Sequence, residues 1–118
     1  MNDLEGLMIY KQYLELIYYV ENITLKYPKY ERDGLVFRIK NITYDGIKDI
    51  IYANKEFNKG KRVIILNNLD INLKMLKVMI RVSYKKRYIS IRNYNAWSKK
   101  IYNINNLMFG WIKSCQRV

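Results

Sequence analysis

Three observations predict an all-α fold, an up-down-up-down antiparallel four-helix bundle. The 118-residue chain is sparsely punctuated, with one proline at Pro28 and its clearest turn at Asn58-Lys59-Gly60-Lys61. Apolar residues recur at spacings of three and four, the period of a helix face. Strict alternation is absent, and no hairpin turn joins short strands, so a β reading has nothing to build on.

The punctuation divides a single domain, residues 1–118, into a short tail at 1–3 and helices at about 4–27, 34–58, 62–86 and 90–114. In the first, Leu7, Tyr10, Leu14, Ile17 and Tyr18 fall near one face. Pro28 ends it, because a proline pushes the preceding residue out of the helical region. Asp33 is the expected N-cap of the second helix, whose apolar positions include Leu35, Ile39, Ile42, Ile50, Ala53 and Phe57. Gly46 lies inside it, at a cost of about 1 kcal/mol relative to alanine, and close helix packing is the expected reason. Gly60 is placed to take a left-handed turn. The third helix carries a heptad seam, Leu66, Leu69, Leu73, Leu76, Ile80 and Ser83, and the fourth, capped by Ser90, repeats it with Tyr94, Trp97, Ile101, Ile104, Met108 and Trp111. Trp97, Ile104, Met108 and Trp111 are therefore expected in the core. Short joins make successive helices neighbours, each roughly 37 Å long.

Charge is segregated along the chain. The net charge is +12, yet residues 1–70 carry only +1 of it and residues 71–118, which have no Asp or Glu, carry +11. Such a balance points to a polyanion, an anionic membrane or an acidic protein as partner, the plain alternative being a solvated basic surface. The richness in Lys, Asn, Ile and Tyr is also what an AT-rich genome imposes, so the twelve tyrosines carry less functional meaning than their number implies. The lone Cys115 fits a reducing cytosol. Apolar runs such as Val63 to Leu66 are too short to span a bilayer, and the N-terminus does not read as a signal peptide.

The third helix shows two further lines. Ile64, Ile71, Met75, Val78 and Val82 form a second apolar stripe roughly 150° from the heptad seam. No helix is central in a four-helix monomer, so this stripe is expected to meet another subunit; a broad core face is the alternative. Between the stripes run Lys74, Lys77, Arg81 and Lys85, with Lys86, Arg87, Arg92, Lys99 and Lys100 nearby in sequence. Like charges on one helix face repel, and no carboxylate nearby in sequence is expected to relieve them. A polyanion would, through phosphate contacts that weaken with salt and read little sequence.

Several short motifs, in order, then resemble a known family. They are Tyr27-Pro28-Lys29-x-Glu31-Arg32, Arg38-Ile39-Lys40-Asn41, Ala53-Asn54-Lys55, Tyr88-Ile89-Ser90 with Tyr94, and Gly110-Trp111-Ile112-Lys113-Ser114. Together they resemble Avd, the accessory variability proteins of diversity-generating retroelements. The resemblance implies a homopentameric ring with a basic surface that binds the reverse transcriptase and RNA or DNA in support of mutagenic cDNA synthesis. It places family basic positions on Lys77 and Arg81. Asn103-Ile104-Asn105 and Phe109-Gly110-Trp111 depart from the family's Glu-Ile-Gly and Gly-Gly-Trp, so Asn105 and Phe109 must repack any close contact the glycines allow. The four-helix proteins of 23S ribosomal RNA intervening sequences share the Pro-Lys-x-Glu-Arg start and Ile-Lys-Ser end. A free-standing RNA-binding protein of that type is the alternative, but its usual second-helix motifs are replaced here.

Rival classes fare less well. Asp45 and Asp49, one turn apart, could bind a metal ion in an enzyme, but acids so spaced are usually solvated. The chain has no histidine, no glycine-rich phosphate loop and no nucleophile-base pair, so neither an enzyme nor a cofactor or metal is expected. A basic amphipathic helix can lie on lipid, but a bundle consumes the faces that would do so. A cytoplasmic, non-membrane binding protein is the expectation.

Overall fold

A computed structural model describes residues 4–117; the expected tail at 1–3 lies outside them. Four helices follow in order, α1 (Leu4–Ile23), α2 (Leu35–Lys55), α3 (Lys59–Lys85) and α4 (Ile91–Gln116), with no strand among the described residues. They touch in the order α1–α2–α3–α4 and back to α1, so the cross-section is a closed square without a central helix. The body measures 49 × 25 × 19 Å.

The helix ends differ from the expected ones for local reasons. Helix α1 stops at Ile23, and 3-10 turns at Thr24–Lys26 and Lys29–Glu31 flank the proline. Tyr27 is extended, with ψ 153°, as its place before Pro28 requires. Asp33 does not cap α2. Instead Glu31 reaches forward, its Oε1 accepting the Leu35 N–H at 3.2 Å. Arg62 closes the other end of α2. Its Nε donates to the Ala53 carbonyl at 2.9 Å and its guanidinium to the Glu56 carbonyl at 2.5 Å, satisfying acceptors that a helix C-terminus leaves open. Helix α3 begins three residues earlier than expected, because Asn58 caps it by accepting the Lys61 N–H. Gly60 therefore lies in the first turn of α3, with no positive φ. Ser90 caps α4 as expected, accepting the Asn93 N–H at 3.1 Å.

Both heptad seams face inward. Leu66, Leu69, Leu73, Leu76, Ile80 and Ser83 are buried, as are Trp97, Ile101, Ile104, Met108 and Trp111, while Tyr94 is half-buried at the seam's edge. The buried face of α1 is rotated from the expected one, to Ile9, Tyr13, Leu16, Ile17 and Val20, leaving Tyr18 exposed. In α2, Ile39, Ile50 and Ala53 are buried with Thr43 and Gly46, while Phe57 lies beyond the helix and is exposed. Gly46 is a close-approach glycine, since a Cβ there would overlap the Tyr13 hydroxyl. That hydroxyl donates to the Thr43 carbonyl at 2.6 Å.

Candidate nucleic-acid and partner interface

The basic residues singled out in the sequence lie on or beside the α3–α4 side of the bundle, but the structure sorts them. Lys74 is not free. Asp70, one turn before it, accepts from its ammonium at 2.6 Å, so a carboxylate does relieve the start of the line, contrary to the sequence reading. Lys86 lies 3.9 Å from Glu31. Lys100 is half-buried, its ammonium 5.4 Å from the centre of the Tyr19 ring. Arg92 is exposed at the start of α4.

Lys77, Arg81, Lys85, Arg87 and Lys99 are exposed and have no carboxylate partner among the described residues. Lys77 and Arg81 of α3 and Lys99 of α4 line one groove between the two helices, of about 580 Å³, together with Val78, Tyr94, Ser98 and Tyr102. A smaller hollow of about 310 Å³ is lined by Tyr84, Lys85, Arg87 and Ile89. The rings of Tyr84 and Tyr94 touch, 5.1 Å between centres, and join the two hollows. Sequence reasoning found the cations but not Ser98 and Tyr102. The signal available was the spacing of four along Tyr94, Ser98 and Tyr102, a stripe beside the seam.

Arg87 owes its place to the turn that ends α3. Its φ is 64°. The Arg87 N–H donates to the Tyr84 carbonyl and the Tyr88 N–H to the Ser83 carbonyl, both at 2.9 Å. These are the two bonds of a Schellman ending, with arginine where glycine is usual. Tyr88, the next residue, packs its ring 5.2 Å from that of Tyr27 and donates its hydroxyl to Glu31 at 2.8 Å. Three of the motif residues, Tyr27, Glu31 and Tyr88, thus form one corner that joins α1, α2 and α3. The hydroxyl of Tyr88, then the Leu35 N–H and the Lys86 charge, hold the Glu31 carboxyl below its usual range.

The apolar stripe expected at a subunit contact is open in the single chain. Ile64, Ile71, Met75, Val78 and Val82 are between 38% and 71% exposed, and Val78 also lines the basic groove. The two lines on α3 thus share a boundary residue. Around the departures from the family pattern, Asn105 is buried, Phe109 is exposed, and a Cβ added at Gly110 would meet nothing within 4 Å. No helix of the same chain therefore approaches closely at Gly110. Trp97 and Trp111 are fully buried, the first edge-on to Tyr19 and the second under the Arg62 guanidinium at 5.7 Å.

One member of the acid pair, Asp49, has a structural role. Asp49 accepts from Asn68 at 3.1 Å and from Asn72 at 2.9 Å, which ties α2 to α3; burial pushes its carboxyl up. Among the described residues no group of three or more Cys, Asp and Glu side chains could hold a metal ion, and no helix is long and apolar enough to cross a membrane.

A comparison with curated proteins returned no match. A family model described as bAvd-like matches residues 7–115, which include all five sequence motifs and both hollows. The chain therefore belongs to the bAvd-like family, an accessory-protein family of the retroelement kind.

Proposed function

We propose that the protein is a non-catalytic accessory subunit of a diversity-generating retroelement. It binds the reverse transcriptase and nucleic acid through the basic α3–α4 face and supports mutagenic cDNA synthesis. The observation that carries this reading is the groove holding Lys77, Arg81 and Lys99, three cations without a carboxylate partner among the described residues, in a member of this family. A homo-oligomer, with five copies favoured, repeats the face around a ring and multiplies weak contacts without new residues. The free, buried Cys115 is compatible with the cytoplasm.

The double variant Lys77→Glu with Arg81→Glu tests the face. Both side chains are exposed, so helical content stays the same. Affinity for nucleic acid or the polymerase is expected to drop by at least about tenfold at moderate salt, with a shallower salt dependence as about two phosphate contacts are lost. Unchanged affinity removes the face from the function. The genetic counterpart is the neighbourhood of the gene. A reverse transcriptase beside a template repeat and a matching variable repeat supports the retroelement role, and a ribosomal RNA insertion supports the free-standing alternative.

A further inference from the structure

The α3–α4 groove contains more than charge. Tyr102 is 59% exposed on its α4 wall, and the Tyr84–Tyr94 ring pair leads from the groove to the smaller hollow. Lys77 and Arg81 stand on one wall and Lys99 on the other. Lys85 and Arg87 continue the charge past the ring pair. Cations thus flank a broken row of three phenol rings.

A double helix makes little use of such a groove. Its bases already stack on each other, and it offers a protein only phosphates, sugars and base edges. The hollow of about 580 Å³ is in the range that takes a small organic ligand, the scale of a base with its sugar. A single strand presents what the groove receives, unstacked π-faces for the tyrosines and a phosphate at each step for the cations.

We propose that the groove between α3 and α4 is a binding track for single-stranded nucleic acid, with a base stacked on Tyr102, phosphates held by Lys77, Arg81 and Lys99, and the strand continuing past Tyr94 and Tyr84 towards Lys85 and Arg87. This rests on the reading of the basic face as the nucleic-acid side and adds the strandedness and the contact that reads it. Selection comes from the rings, while the cations serve both forms. Stacking tolerates any base, so the track selects strandedness rather than sequence.

The test is fluorescence anisotropy on the full chain, with a dye-labelled twelve-nucleotide single strand and a duplex of the same length, each at two salt concentrations. The single strand is expected to bind at least about tenfold more tightly. Tyr102→Ala is expected to weaken the single strand by about tenfold, close to 1.4 kcal/mol, and leave the duplex unchanged. Tyr102→Phe keeps the ring and the preference. Tyr18→Ala, an exposed tyrosine on α1, changes nothing. Tyr102 is exposed and makes no hydrogen bond among the described residues, and circular dichroism verifies that the variants remain folded. If single strand and duplex bind alike and Tyr102→Ala is silent while Lys77→Glu with Arg81→Glu still weakens both, the track is overturned and the basic face survives. If neither form binds but the polymerase does, both the track and the nucleic-acid half of the function are overturned. If Tyr102→Ala changes the mass of the oligomer, the groove is a subunit contact and the track is equally overturned.

Discussion

Glu31 makes three contacts from one carboxylate. It accepts the Leu35 N–H at the start of α2, accepts the Tyr88 hydroxyl from the α3–α4 join, and lies within 3.9 Å of Lys86. All three favour the charged form, so the carboxyl titrates below the ordinary 4.5. A carboxyl whose folded value is depressed stabilises the fold above its unfolded value, and that stability is lost as pH falls through the lower, folded one. Glu31→Gln keeps an acceptor but removes the charge. It is therefore expected to lower Tm at neutral pH, with the gap from the parent protein closing below about pH 4.5. A gap that stays constant from neutral to acid pH would assign the corner to packing alone. Tyr88 faces the same contact from the other side, and its phenol is pushed up chiefly by its hydrogen bond with Tyr30, then by burial and Glu31. Arg62 does related work across the molecule, holding the end of α2 while stacked on Trp111.

Within elements, Gly46 sets one helix contact. Alanine at that position would gain about 1 kcal/mol of helix propensity, but its Cβ would overlap the hydroxyl of a buried, hydrogen-bonded Tyr13. Overpacking a core costs typically about 1–3 kcal/mol. Gly46→Ala is therefore expected to lose about 1 kcal/mol net in urea unfolding, and a gain would mean that α1 gives way freely. The same elements show what a sequence exposes and what it hides. The α3 and α4 seams were legible because burial there follows a spacing of three and four along one strand of text. The face of α1 was not, because Leu7, Met8, Tyr10 and Tyr18 spread apolar and aromatic side chains around the helix and blur the period. The α2 cap was missed because Glu31 reaches across a turn, and the Tyr88 contact because its partner is 57 residues away. The cations of the candidate site were legible as a line. The groove they share with Tyr94, Ser98 and Tyr102 was not, since it exists only once α4 lies against α3.

For the whole molecule, the excess charge of residues 71–118 becomes a surface, because α3 and α4 are neighbours in the square and that part of the chain supplies no acid to them. Beside it, α3 leaves Ile71, Met75, Val78 and Val82 exposed, an apolar line that a lone bundle has no reason to keep. A closed ring joins subunits head to tail and so needs a second, unlike patch. Phe37, Tyr44 and Ile51, exposed at intervals of seven along α2, form an apolar line of that kind. The oligomer can be tested apart from nucleic acid by light scattering. The parent chain is expected to give a single mass several times 14.4 kDa, with five copies favoured. Ile71→Glu with Met75→Glu would place two unpaired charges in the contact, each costly to bury, and is expected to reduce the particle to the single-chain mass with the helices intact. The exchanged side chains are outside the core, so loss of helicity is not the expected route to dissociation. A parent chain that is monomeric at micromolar concentration would remove the ring, and with it the multiplication of weak contacts proposed for the basic face.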